Sequence, residues 1–234
     1  MTSDSIVIER FKSEALKRGV ITLVAANRDE AVRHISSLAG SKNITRVVKS
    51  SCPLAGKLGL SRHMENRGIN ICETSLVHWT LQIKHKKEVP LEEIAALVST
   101  ATGEKVIIDP DEILKAAKKA LKAIYTGADL GITEADFGIA ETGTLVTLEN
   151  EDNARLAMVL PRLHLTLLEA SHVVASLADA AEMIKQTSGK IQGHKLPTLI
   201  SHFAGRNSFT DAQGKFPTRT EGPAEEYILL IHET

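Results

Sequence analysis

The feature that most constrains this chain is an alternation near its start, in which short β-branched apolar runs are separated by capped helical segments. Val20–Ala25 reads Val-Ile-Thr-Leu-Val-Ala, a continuous apolar run of strand length. That pattern fits a strand covered on both faces. Asn27 follows as an N-cap, and Glu30 three residues later completes a capping box. Ala31, Val32, Ile35 and Leu38 then share one helical face, with Gly40 placed to end the helix. The unit recurs, with a strand at Arg46–Lys49, a helix over residues 54–67 and a strand over 69–72. Such repeats require parallel pairing through right-handed crossovers. The expected fold is therefore α/β, a mostly parallel sheet flanked by helices.

The remaining segments fit this frame. Residues 5–19 read as a charged N-terminal helix, residues 91–100 as another helix, and residues 105–108 as a short strand. Asp109-Pro110-Asp111-Glu112 is a helix start, with an Asp cap, Pro in the first turn and acids at the positive end of the dipole. Ile113, Leu114, Ala117, Ala120, Leu121 and Ile124 form the buried stripe of that helix. Lys115, Lys118, Lys119 and Lys122 face outward and read as a solvated helix face, the alternative being a phosphate-binding patch. From Ala128 onward the texture turns β-rich, with strand-like runs at 144–148, 156–160 and 165–168. A helix follows at 176–189, with Asp179 in its cap, and closing strands at Leu199–Phe203 and 227–231. Residues 205–225 are polar, contain Gly and Pro, and read as a mobile loop. The organisation is thus an N-terminal helix over 1–19 and one α/β domain over 20–234.

Composition narrows the function classes. Apolar residues make up 43% of the 234, enough for a sizeable core. The formal charge of -1 offers no bulk attraction to nucleic acid or anionic membrane. There is no signal-peptide pattern and no run near the ~20 apolar residues of a membrane span, so a cytoplasmic protein is expected. Two cysteines, Cys52 and Cys72, can build neither a disulfide framework nor a four-thiolate iron–sulfur site. No cofactor or metal is expected in the chain itself.

The chemistry concentrates at residues 131–144, Gly-Ile-Thr-Glu-Ala-Asp-Phe-Gly-Ile-Ala-Glu-Thr-Gly-Thr. Glu134, Asp136 and Glu141 stand among Gly131, Gly138 and Gly143. Carboxylates act as bases, nucleophiles or ligands, and glycines let a backbone approach a bound molecule. The alternative is a twisted sheet edge with turn glycines and solvated acids. Glu141 is the candidate catalytic carboxylate, because the turn at Gly143 exposes it together with the amides of Thr142, Gly143 and Thr144. Glu134 and Asp136 suit pairing with Arg155 or Arg162. Asn150, Asn153, Arg155, Arg162 and His164 follow, with Arg162 and His164 on one face if the segment is a strand. An Arg and a His beside carboxylates can bind an anion and shuttle protons, with His164 as the second catalytic candidate. They can equally serve only to neutralise the acids. Gly205 and Arg206, in the polar loop, are further ligand-binding candidates: Arg206, Asn207 and Ser208 can clamp an anion as that loop closes, the alternative being a surface excursion without a ligand.

The run GITEADFGIAETGTLV, followed by ENEDNARLAMVLPRLHL, closely resembles the signature of the LUD family, the domain of bacterial lactate-utilisation proteins B and C. Upstream, RVVKSSCPLAGKLGLSRHMENRGINICET is similar to another family region, more so in the B-type protein, and EGPAEEYILLI resembles its closing strand. The resemblance implies a fold like that of the sugar-phosphate isomerase, CoA-transferase and formyltetrahydrofolate cyclo-ligase group. It also implies a place in an iron–sulfur complex that oxidises L-lactate to pyruvate, with the clusters in partner subunits and a small organic acid as ligand. B-type proteins continue into a cysteine-rich region that these 234 residues lack, and Ser51-Cys52-Pro53 replaces the usual Lys-Ser-Met. Two other readings stand beside this one: a stand-alone acyl- or CoA-transfer enzyme using Glu141, and a ligand-sensing domain without catalysis. Self-association as a homo-oligomer is left open.

Overall fold

Strand residues buried on both faces carry the architecture. The computed structural model describes residues 3–74, 90–149, 153–188, 199–203 and 223–232. The first half contains α1 (Ser3–Lys17), β1 (Val20–Ala25), α2 (Arg28–Ser41), β2 (Arg46–Lys49), α3 (Pro53–Lys57), α4 (Leu60–Glu65) and β3 (Asn70–Glu73). Next come α5 (Leu91–Thr102), α6 (Pro110–Thr126), β4 (Leu130–Glu134), β5 (Phe137–Ile139) and β6 (Thr144–Glu149). The remainder comprises α7 (Asn153–Val159), β7 (Leu163–Glu169), a 3₁₀ turn (Ala170–His172), β8 (Val173–Val174), α8 (Leu177–Ser188), β9 (Leu199–Phe203) and β10 (Glu225–Ile231).

Six strands form one sheet in the order β1-β10-β7-β4-β2-β3, and every pairing in it is parallel. One face packs on α2, α3 and α4 through Ile35, Leu54, Leu60, Met64, Leu130, Ile132, Leu165 and Leu229. The other face is shared. Phe11 and Ala15 of α1 cover Leu168, Ile228 and Leu230, while α5, α6 and α7 cover Val48. A second sheet, β8-β5-β6-β9, accounts for the β-rich later half.

The caps form as the residue types dictate. The Asn27 side chain accepts from the Glu30 amide at 3.0 Å, and Glu30 reaches back to the Ala26 amide at 2.8 Å. Asp109 accepts from Asp111 and Glu112. Four expectations need correction. The helix expected over 54–67 is two short helices, because Gly59 sits at φ 64 between them. Residues 105–108 are not a strand, and Ile107 and Ile108 are exposed. Residues 156–160 belong mostly to helix α7, not to a strand. Its Ala157 and Met158 are buried, and Ala157 lies close over β4. A Cβ at Gly131 would stand 1.8 Å from the Ala157 carbonyl oxygen, so only glycine permits this approach. Gly40 lies inside α2, which ends at Ser41, and the left-handed residue after it is Asn43 at φ 51.

Candidate functional site

In an open parallel sheet, ligands bind beyond the carboxyl ends of the strands, at the point where the chain leaves neighbouring strands toward opposite faces. Here that point lies between β2 and β4. The chain leaving β2 enters α3 on one face, whereas the chain leaving β4 enters the second sheet. Lys49 ends β2, Glu73 ends β3 and Glu134 ends β4. Lys49 and Glu73 stand in register across the two strands and form an ion pair with side-chain exposures of 9% and 14%. Lys49 Nζ also donates to the Ser50 carbonyl at 3.3 Å. Glu134 Oε2 accepts from the Leu54 amide at 2.8 Å, at the start of α3. Beside it, burial first and then the Glu134 charge raise the Cys52 thiol well above its ordinary range.

Asp136 follows Glu134 at the corner into β5, and its carboxylate accepts from the Leu148 amide at 2.7 Å. Burial lifts its pKa, an effect the Leu148 amide opposes and Glu134 reinforces. Glu169 ends β7, with Lys57 at 2.8 Å and His172 at 3.7 Å. The Lys57 pKa is raised, first by the hydrogen bond to Glu169, and Lys57 also senses the Glu134 charge. The carboxyl ends of β2, β3, β4 and β7 thus gather cations and carboxylates along one rim.

The sequence-predicted residues separate into several groups. Glu134 and Asp136 lie on this rim. Glu141 lies beyond β5, exposed, and accepts from the Leu177 amide at 2.8 Å, so its carboxylate caps α8. Gly138 and Gly143 are packing positions: a Cβ on Gly138 would meet Leu168 and Phe11, and one on Gly143 would meet the α1 backbone at Ala15 and Glu14. The Thr142 carbonyl accepts from Arg18 at 2.8 Å, and Thr144 begins β6. The AETGT turn is thus fastened to α1 and α8.

The expected pairing of Glu134 or Asp136 with Arg155 or Arg162 does not form. Arg162 lies at the opposite, amino end, 3.4 Å from Asp129 and donating to the Lys42 carbonyl at 2.6 Å. Asp129 and Glu134 are separated by roughly 16 Å of strand at ~3.3 Å per residue. Arg155 is exposed on α7. His164 is buried under the second face, in register with Gly131 and Glu226. Its Nε2 lies 2.9 Å from the Thr133 hydroxyl, and burial lowers its pKa to about 3. A neutral imidazole held by threonines belongs to the sheet interior. Asn150, Gly205, Arg206 and most of the 205–225 loop lie outside the described residues. The sequence reading missed Lys49 and Glu73. Their signal was a charge directly following a pair of apolar strand residues, Val47-Val48 before Lys49 and Ile71-Cys72 before Glu73.

The described residues do not fit an iron–sulfur cluster. Cys52 belongs to the α2–α4 face and Cys72 to the α5–α7 face. Burial and then the Glu73 charge push Cys72 up to about 11, so neither thiol favours the thiolate form that ligates iron. Among the described residues, no group of three or more His, Cys, Asp or Glu is arranged to hold a metal ion, and no helix is long and apolar enough to cross a membrane.

Comparison with known proteins places this geometry in a family. A "Lactate utilization protein B" from Lysinibacillus sphaericus is 26% identical over 235 residues, covering 95% of this chain and 47% of the relative. One from an Exiguobacterium strain is 28% identical over 225 residues, covering 92% and 46%. The chain therefore spans about half the length of the curated relatives it matches. A crystal structure of a DUF162 family protein from Deinococcus radiodurans shares the fold, with a TM-score of 0.55 at 13% identity over 99% of both chains. The model of the LUD domain matches residues 8–231. The chain belongs to the LUD domain family.

Proposed function

We propose that the chain is a lactate-utilisation-type domain that holds a small organic acid at the carboxyl ends of β2 and β4. Iron–sulfur partner proteins would carry the electrons of L-lactate oxidation to pyruvate. The observation that carries this reading is the buried Lys49 ammonium at the switch point, in a domain whose relatives are named for lactate utilisation. In so low a dielectric, a carboxylate is attracted to an ammonium far more strongly than in water. Glu134 offers an acceptor for the hydroxyl of a 2-hydroxy acid. The assignment of electron transfer to partners is supported by the two cysteines, which face opposite sides of the sheet. Deleting the gene for the chain is expected to abolish growth on L-lactate, with growth on pyruvate retained and a plasmid copy restoring the loss. Undiminished growth of the deletion strain on L-lactate would overturn the reading.

A further inference from the structure

We propose a second ligand site on this domain, for an amphipathic organic anion of cofactor size, in the cleft across the carboxyl ends of β1, β10 and β7. It lies beside the organic-acid site and does not depend on that reading. The cleft has a volume of about 1190 Å³, above the ~300–1,000 Å³ typical of pockets for drug-sized ligands and far more than a three-carbon acid fills. Two inter-strand steps separate β1 from β7, a width of roughly 10 Å. Val24, Val173 and Ile231 are among its apolar lining residues, and Lys12, Lys57 and His232 line it together with Glu9 and Glu169.

The two lysines come from opposite faces of the sheet. Lys12 belongs to α1, which covers one face, and Lys57 ends α3, which covers the other. A ligand lying across the sheet edge reaches both. Each lysine is held by a glutamate, Lys12 by Glu9 at 2.7 Å and Lys57 by Glu169 at 2.8 Å. Both pairs are partly exposed, and such pairs contribute little to stability, so exchange of partner is cheap. Glu169 also has His172 at 3.7 Å from its other oxygen. When Lys57 turns to a ligand anion, Glu169 keeps His172 as a neighbour. The apolar lining takes the ligand body and the lysines take its charge.

Octanoate is the probe, with 1-octanol as its uncharged counterpart and L-lactate as competitor, followed by titration calorimetry on the full chain. Octanoate is expected to bind. The Lys12→Ala/Lys57→Ala double variant should weaken it at least about tenfold and leave 1-octanol unchanged. Ser171→Trp, an exposed cleft position, should block both, with thermal melting as the control for folding. No octanoate binding, or equal affinity in the double variant, overturns the proposal. Displacement of octanoate by L-lactate also overturns the second site, but leaves the lactate reading standing, since the cleft would then be the acid's own pocket.

Discussion

Gly143→Ala is expected to be among the most damaging one-methyl changes in the chain, for reasons that can be worked through from two contacts. Gly143 adopts φ 65, where a side chain costs about 1–2 kcal/mol. An added Cβ would also stand 2.4 Å from the Ala15 nitrogen and 2.6 Å from the Glu14 carbonyl carbon. These are backbone atoms of α1 and cannot swing aside. To restore ordinary contact, α1 must retreat by about 1 Å, loosening Phe11 and Ala15 from Leu168 and Leu230, and overpacking of this kind costs about 1–3 kcal/mol. The expected loss is therefore about 2–5 kcal/mol. Gly19 supplies the control, since it has φ 78 but nothing within 4 Å of its Cβ position, so Gly19→Ala should cost only the conformational part. Urea unfolding monitored by circular dichroism measures both. If Gly143→Ala proves no more destabilising than Gly19→Ala, the docking of the AETGT turn on α1 is wrong.

Three other outcomes follow from contacts already described. Lys49→Met should cost about 3–5 kcal/mol, because it takes the cation away from a Glu73 carboxylate that is only 14% exposed, and Lys49→Met/Glu73→Gln should recover part of that loss. A double variant no more stable than the single would refute the pairing. Glu141→Gln keeps an acceptor for the Leu177 amide and should leave the melting temperature nearly unchanged, whereas Glu141→Ala should lose about 0.5–2 kcal/mol as a lost cap. If the Gln variant melts normally but cannot restore growth on L-lactate, the charge has a role beyond the cap. His164 should stay neutral in the fold from pH 8 down to about 4, since burial lowers its pKa to about 3. The unfolded chain takes up that proton near 6.5. The contribution of His164 to stability is thus full above about 6.5 and is lost as pH falls from there toward 3. An imidazole NMR titration with a midpoint near 6.5 would contradict this.

How much of this was legible in the sequence depends on whether the deciding contact is local. The Asn27 and Asp109 caps rest on residues a few positions apart and form as read, whereas the Val20–Ala25 strand forms at the sheet edge with Ile21 exposed, and the stripe of α6 buries Ile113, Ala117 and Leu121 but leaves Leu114 exposed. The apolar run at 156–160 was ambiguous between helix and strand. What decided it was Gly131, some 25 residues away, which admits the α7 backbone. Residues 105–108 have strand-like composition but pair with no strand among the described residues, and composition alone cannot supply one. The glycines of the signature were visible as sites of close approach, yet nothing local says whether a ligand or a helix makes the approach. At Gly138 and Gly143 it is α1. Lys49 and Glu73 become a pair only once β2 and β3 are known to be adjacent and in register.

The placement of β10 bears on how the chain reaches its native state. This strand, residues 225–231, lies between β1 and β7, so its neighbours come from residues about 200 and 60 positions earlier. Until it arrives, β1 has no strand partner among the described residues, and one edge of β7 stands open. Before residues 225–231 are in place, the six-stranded sheet consists of β1 alone and the four strands β7-β4-β2-β3. Pairings over such separations make folding slow, and the two open edges are sites where another nascent chain could pair. The strand at residues 225–231 is the one that joins β1 to the other four.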